Sequence, residues 1–100
     1  MKQPKIIQKI PREKKIILME SDNNYTIIHL SDGKKLLSGY NLKFYEDRTD
    51  NQSFMRLNRS EMINKTFVKL INLDEFSLTL NNGRRVHISR RRMKAFQAWI

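Results

Sequence analysis

Cysteine is missing from the 100-residue chain. Its absence excludes disulfides and thiolate metal sites and suits a reducing cytosol, so a cytoplasmic location is expected. Glycine is scarce. Gly33, Gly39 and Gly83 stand alone, so no glycine-rich phosphate loop exists. The only histidines, His29 and His87, fall in separate segments, and no carboxylate pair has a recognisable spacing. Metal-assisted hydrolysis needs clustered His and carboxylates, and nucleophilic catalysis needs a nucleophile, a base and an orienting group. Neither pattern is present, so no enzyme, metal or cofactor is expected. No apolar run approaches the length needed to cross a bilayer, and the lysines of "MKQPKIIQKIPREKK" precede no continuous apolar stretch. Membrane insertion and a signal peptide are not expected. Acids are absent from Phe76 to Ile100.

What is present is positive charge. Twenty Lys and Arg face ten Asp and Glu, a net charge of +10. The acid-free end holds Arg84, Arg85, Arg90, Arg91, Arg92 and Lys94. A basic surface with one concentrated stretch attracts polyanions. Nucleic acid stands ahead of simple solubility here. An anionic membrane stands well behind, since no helix pairs a long basic face with a long apolar one. Apolar residues at 39% and nine aromatics mark a globular composition, and 100 residues make one domain, 1–100, with a modest core.

Period-two alternation dominates the middle of the chain. "YTIIHL" sets Tyr25, Ile27 and His29 against Thr26, Ile28 and Leu30. Asp32-Gly33 then suits a hairpin turn into "KLLS". "FSLTLN" sets Phe76, Leu78 and Leu80 against Ser77, Thr79 and Asn81. Asn82-Gly83 turns the chain into "RRVHIS", with Val86 and Ile88 facing inward. "KIIQKI", "KIILM" and "FVKLINL" are further strand candidates, with Pro11 separating the first two. Two segments read as helices. "NLKFYEDR" starts at Asn41 as N-cap, with Leu42 and Tyr45 on one side. "SRRRMKAFQAWI" starts at Ser89, and Met93, Phe96, Trp99 and Ile100 form its buried stripe. The class is mainly β with short helices.

Three polar clusters lie at element ends: "SDNNY", "RLNRS" and "SRRRMK". Asn and Arg are the types that read base edges, Asn on adenine and Arg on guanine, while Ser and Lys suit phosphates. Turn formation alone accounts for Asn23 and Asn24 by default. Arg56 sits mid-strand, where pairing with Glu20 or Glu61 is the favoured reading. Arg90 and Arg91 break a local rule, because the first turn of a helix is already positive and prefers acids. With the free N–H groups there they make a phosphate-seeking site.

"FMRLNRSEMIN" followed by "FSLTLNNGRRVHISRRRMKAF" resembles the LytTR-type DNA-binding domain of bacterial transcription regulators, many of them response regulators. Phe54, Arg56, Arg59, Ser60, Met62, Ile63 and Asn64 fit the pattern Phe-x-Arg-x-His-Arg-Ser, an apolar pair, then Asn. Asn58 stands where His is usual. Upstream, Glu20, Ser21, Tyr25, Ile27, His29, Asp32 and Gly33 fit as well, and the resemblance runs from about Lys14 to the end. The first strand is expected to be abbreviated and no receiver domain is expected within 1–100. The resemblance implies an elongated, antiparallel β-β-β sandwich with short helices. It implies that loops enter successive major grooves of double-stranded DNA, with a second copy of the chain on a repeated site.

Asn24, Arg59 and Arg90 are then the expected base readers. Asn23, Asn58, Ser60, Ser89, Arg91 and Lys94 are the expected phosphate contacts. Phe54, Met55, Leu57, Met62 and Ile63 anchor the Arg59 loop. An upstream signalling partner is not identified by any residue pattern. Two other readings remain: an RNA-binding or nonspecific nucleic-acid module, and an interaction domain without a nucleic-acid ligand. Tyr25 is the obvious candidate to stack on an RNA base, and it is expected to be at least half buried.

Overall fold

Alternating apolar side chains and two Gly-containing turns are enough to start the sheets. The computed structural model describes residues 15–100, so the strand expected at "KIIQKI" and the break at Pro11 lie outside the described residues. The described strands are β1 (Ile16–Asp22), β2 (Tyr25–Leu30), β3 (Lys35–Ser38), β4 (Phe54–Arg56), β5 (Glu61–Asn64), β6 (Val68–Asn72), β7 (Ser77–Leu80) and β8 (Arg85–His87). Helix α1 (Leu42–Glu46) follows β3, and α2 (Arg90–Trp99) closes the chain. Every pairing is antiparallel, in a five-stranded sheet of order β3-β2-β1-β5-β4 and a three-stranded sheet of order β6-β7-β8. The mainly β class and the elongated outline, 38 × 25 × 24 Å, are as expected. The described strands form two sheets, and the pairing of β1 with β5 joins both hairpins into the larger one.

The two Gly turns share one chemistry. Gly33 and Gly83 both sit at φ 88°, and Leu30 and Leu80 each accept the glycine N–H and donate to the carbonyl of residue 34 or 84. Asp32 and Asn82 accept the N–H groups of Lys34 and Arg84, both at 3.0 Å. Only glycine carries the positive φ, as in a three-residue hairpin loop. In β1–β2 the strained position is Asn23, at φ 55°.

The large sheet is buried on both faces. Met19, Ile28, Leu30 and Met62 pack with Leu42 and Tyr45 of α1. Leu18, Leu57 and Ile63 pack against Leu78, Leu80, Val86, Ile88 and Phe96 of the second sheet and α2. A strand covered on both sides needs consecutive apolar residues, which is why "IILM" and "MI" do not alternate. Asn41 caps α1 as expected, its Oδ1 accepting the Phe44 N–H at 2.9 Å.

Several local expectations are corrected. Phe76 is outside β7. It ends a tight turn at φ 49°, with its N–H donated to Leu73 O. Ser77 is buried because β7 is the central strand of its sheet. Phe96 is the buried centre of the α2 stripe and Met93 and Trp99 pack partly against it, but Ile100 is 47% exposed at the helix end. Tyr25 is 51% exposed, just past the half-burial expected.

Candidate nucleic-acid interface

The polar clusters that the sequence scatters are brought to one end of the large sheet. Leu57 is fully buried and anchors the β4–β5 loop. That loop is tied on both sides. Ser21 N–H of β1 donates to Ser60 O at 2.7 Å, and Ser89 N–H donates to Leu57 O at 2.9 Å. The start of α2 therefore lies against one flank of the loop. The β1 end that carries the Asn23–Asn24 turn lies against the other. Arg56, Asn58, Arg59, Ser89, Arg91 and Arg92 line one cleft of about 510 Å³ between the loop and α2. Asn23, Asn24, Ser60, Arg90 and Lys94 are exposed around it but do not line it.

The arginines divide into held and free. Arg56 pairs with Glu46 of α1 at 3.2 Å, and donates to Asn58 O at 3.2 Å and Arg59 O at 2.6 Å. Its carboxylate partner is thus Glu46, not Glu20 or Glu61, because the latter two are taken by Arg84. Arg92 donates to the same Glu46 at 3.3 Å and to Arg56 O at 3.2 Å. Arg59 and Arg91 have no side-chain partner among the described residues, nor does Lys94. Arg90 rests its guanidinium over the Phe76 ring at 5.4 Å, which leaves its N–H groups unpaired.

Asn58 is engaged inside the loop. It donates to Glu61 Oε1 at 3.1 Å and His87 O at 2.7 Å, while its Oδ1 accepts the Ser60 N–H at 2.8 Å. Ser89 occupies the N-cap position of α2, yet its hydroxyl makes no cap hydrogen bond. Next to Asn58, Glu61 Oε2 accepts from Arg84 Nη2 at 2.8 Å, and Arg84 also donates to Glu20 Oε2 at 2.7 Å. His29 Nε2 meets the other Glu20 oxygen at 2.8 Å. Burial alone would raise the Glu20 pKa. The hydrogen bonds to His29 and Arg84, with Arg84's charge, outweigh it and hold the carboxyl below its usual range. Burial likewise works against charge on Arg84, but Glu61 and Glu20 raise its pKa further.

The arrangement offers free cations around a braced loop, and among the described residues no His/Asp/Glu group that could hold a metal. LytTr DNA-binding domains match residues 9–100. The chain belongs to that family. In the structural comparison it is similar to the LytTr DNA-binding domain of a Bacillus cereus protein assigned as a methyl-accepting/DNA response regulator. The identity is 25% and the TM-score 0.77, over 90% of this chain and 84% of that one. No curated protein matches it. Among the described residues of the LytTr domain, no helix is long and apolar enough to cross a membrane.

No pattern in the sequence points to Glu46, Glu61, Arg84 or Arg92 as members of this site. Glu46 carries no local signal, since its two arginines lie ten and 46 residues away. Arg92 was visible only as one of three adjacent arginines, and nothing local says which of them folds back.

Proposed function

We propose that this LytTr domain binds duplex DNA sequence-specifically as part of a bacterial transcription regulator. The observation that carries the reading is the free Arg59 on a loop whose backbone is tied to β1 on one side and α2 on the other. A charged reader is useful only if its base is rigid, because ordering a long side chain costs rotamer entropy. Arg59 and Arg90 read bases, and guanine is the edge that suits them. Asn24 is the third reader. Asn23, Ser60, Ser89, Arg91 and Lys94 hold phosphates, and Asn58 holds the loop. The 38 Å long axis suits two successive major grooves on one face, which lie roughly 34–36 Å apart. A DNA response regulator among similar structures supports the regulatory role.

Two copies bind cooperatively at repeated half-sites spaced by whole helical turns. Inserting about half a turn, roughly 5 bp, removes the cooperativity, and a full turn restores part of it. The deciding experiment is selection from a random duplex pool, followed by a salt titration on the enriched site with competitor RNA. If about six phosphates are neutralised, log K falls with log salt at a slope of about −5. A slope near zero, or displacement by RNA in preference to duplex, overturns the proposal.

A further inference from the structure

Arg84 lies between the Asn82-Gly83 turn and β8 of the other sheet, yet its guanidinium reaches the base of the Arg59 loop. We propose that Arg84 is a positioning residue that sets the base preference of Arg59 without reading a base itself. The inference rests on the reading of Arg59 as a base reader.

The connection is continuous. The hairpin fixes the Arg84 backbone, which donates to Asn82 Oδ1 at 3.0 Å and accepts from Leu80 N at 2.9 Å. The guanidinium then bridges Glu20 Oε2 at 2.7 Å and Glu61 Oε2 at 2.8 Å, with Nε on Glu61 at 3.1 Å. Glu20 and Glu61 are direct partners in the β1–β5 register. Like charges facing each other across strands repel, so this pair requires a cation between its members. With Arg84 in place, Glu61 keeps its other oxygen for Asn58. Asn58 in turn holds His87 O and Ser60 N–H, the residue after Arg59. Without Arg84, Glu61 swings from Glu20 and Asn58 loses its acceptor. The loop then samples several positions, and a bidentate contact tolerates little displacement.

The test uses the 100-residue chain. Affinities are measured for the selected duplex, for duplexes substituted at each base pair in turn, and for a random duplex. Arg59→Ala first identifies the base pair that depends on Arg59. Arg84→Met is then expected to cut discrimination at that pair by about tenfold while leaving the other pairs near wild type. Arg84→Lys restores part of it. Glu61→Gln separates geometry from charge. Loss of a negative charge tightens binding to every duplex, yet discrimination at the Arg59 pair is expected to fall by about threefold. In an Arg59→Ala background, Arg84→Met has no further effect at that pair.

Equal loss on all duplexes after Arg84→Met makes Arg84 a phosphate contact and overturns the proposal. So does unchanged discrimination in Glu61→Gln. If Arg84→Met does not melt cooperatively, Arg84→Lys and Glu61→Gln carry the test alone. A chain that selects no sequence refutes the proposed function. A selected site with an Arg59-dependent pair insensitive to Arg84 and Glu61 refutes only this inference.

Discussion

Arg56 and Arg59 are three residues apart, and their surroundings are opposite. The Arg56 side chain is 18% exposed and bonded to a carboxylate and two carbonyls. Arg59 is exposed with no partner among the described residues. The same division separates Arg92 from Arg91 at the start of α2. In a chain of net charge +10, the carboxylates Glu20, Glu46 and Glu61 are spent on the arginines that hold the scaffold. Around the cleft, the cations left over are Arg59 on the loop and Arg91 and Lys94 on α2. The difference teaches that a basic patch is not uniform: part of it is internal bracing.

Removing each kind of arginine should therefore damage a different property. The largest effect is expected from Arg56→Ala, which leaves two loop carbonyls and part of Glu46 without their donor. It should cost roughly 2–3 kcal/mol of folding stability in urea denaturation. Arg59→Ala and Arg90→Ala should leave stability within about 0.5 kcal/mol. On the selected duplex each should cost about 1–3 kcal/mol and relax preference at one base pair. Equal destabilisation by Arg56→Ala and Arg59→Ala would erase the distinction.

Acid probes the bracing group from another side. Glu20 has a lower pKa folded than unfolded, so the unfolded chain binds more protons in acid. Its contribution is present above the usual value of 4.5 and is lost as pH falls through the depressed folded value. Stability should drop with acidification below about pH 4.5, and the drop should be shallower in Glu20→Gln. The smallest effects are expected at the outer cations. Arg91→Ala and Lys94→Ala should weaken every duplex alike and make the salt slope less negative by about 1 each.

Much of the fold was legible because its causes are local. Tyr25–Leu30 was readable from alternation, Gly33 and Gly83 from their turns, and α1 from Asn41 and its apolar pair. Phe76 misled because a hydrophobic residue before an alternating run looks like its first member, while the turn from Leu73 decided its backbone. The type and position of Asn58 suit a phosphate, but its role inside the loop was not legible, because Glu61 and His87, which accept from it, come from two different sheets.

The sequence by itself determined the alternating strands, the two glycine turns, the basic excess and the three polar clusters, since periodicity, positive φ at glycine and composition act within a few residues. Only the tertiary structure decided which cations are free. The pairs that decide it join Arg84 to Glu20 across 64 residues and Arg92 to Glu46 across 46. Such pairing depends on which strands and helices become neighbours, and charge attracts at any sequence separation once folding has brought the groups together.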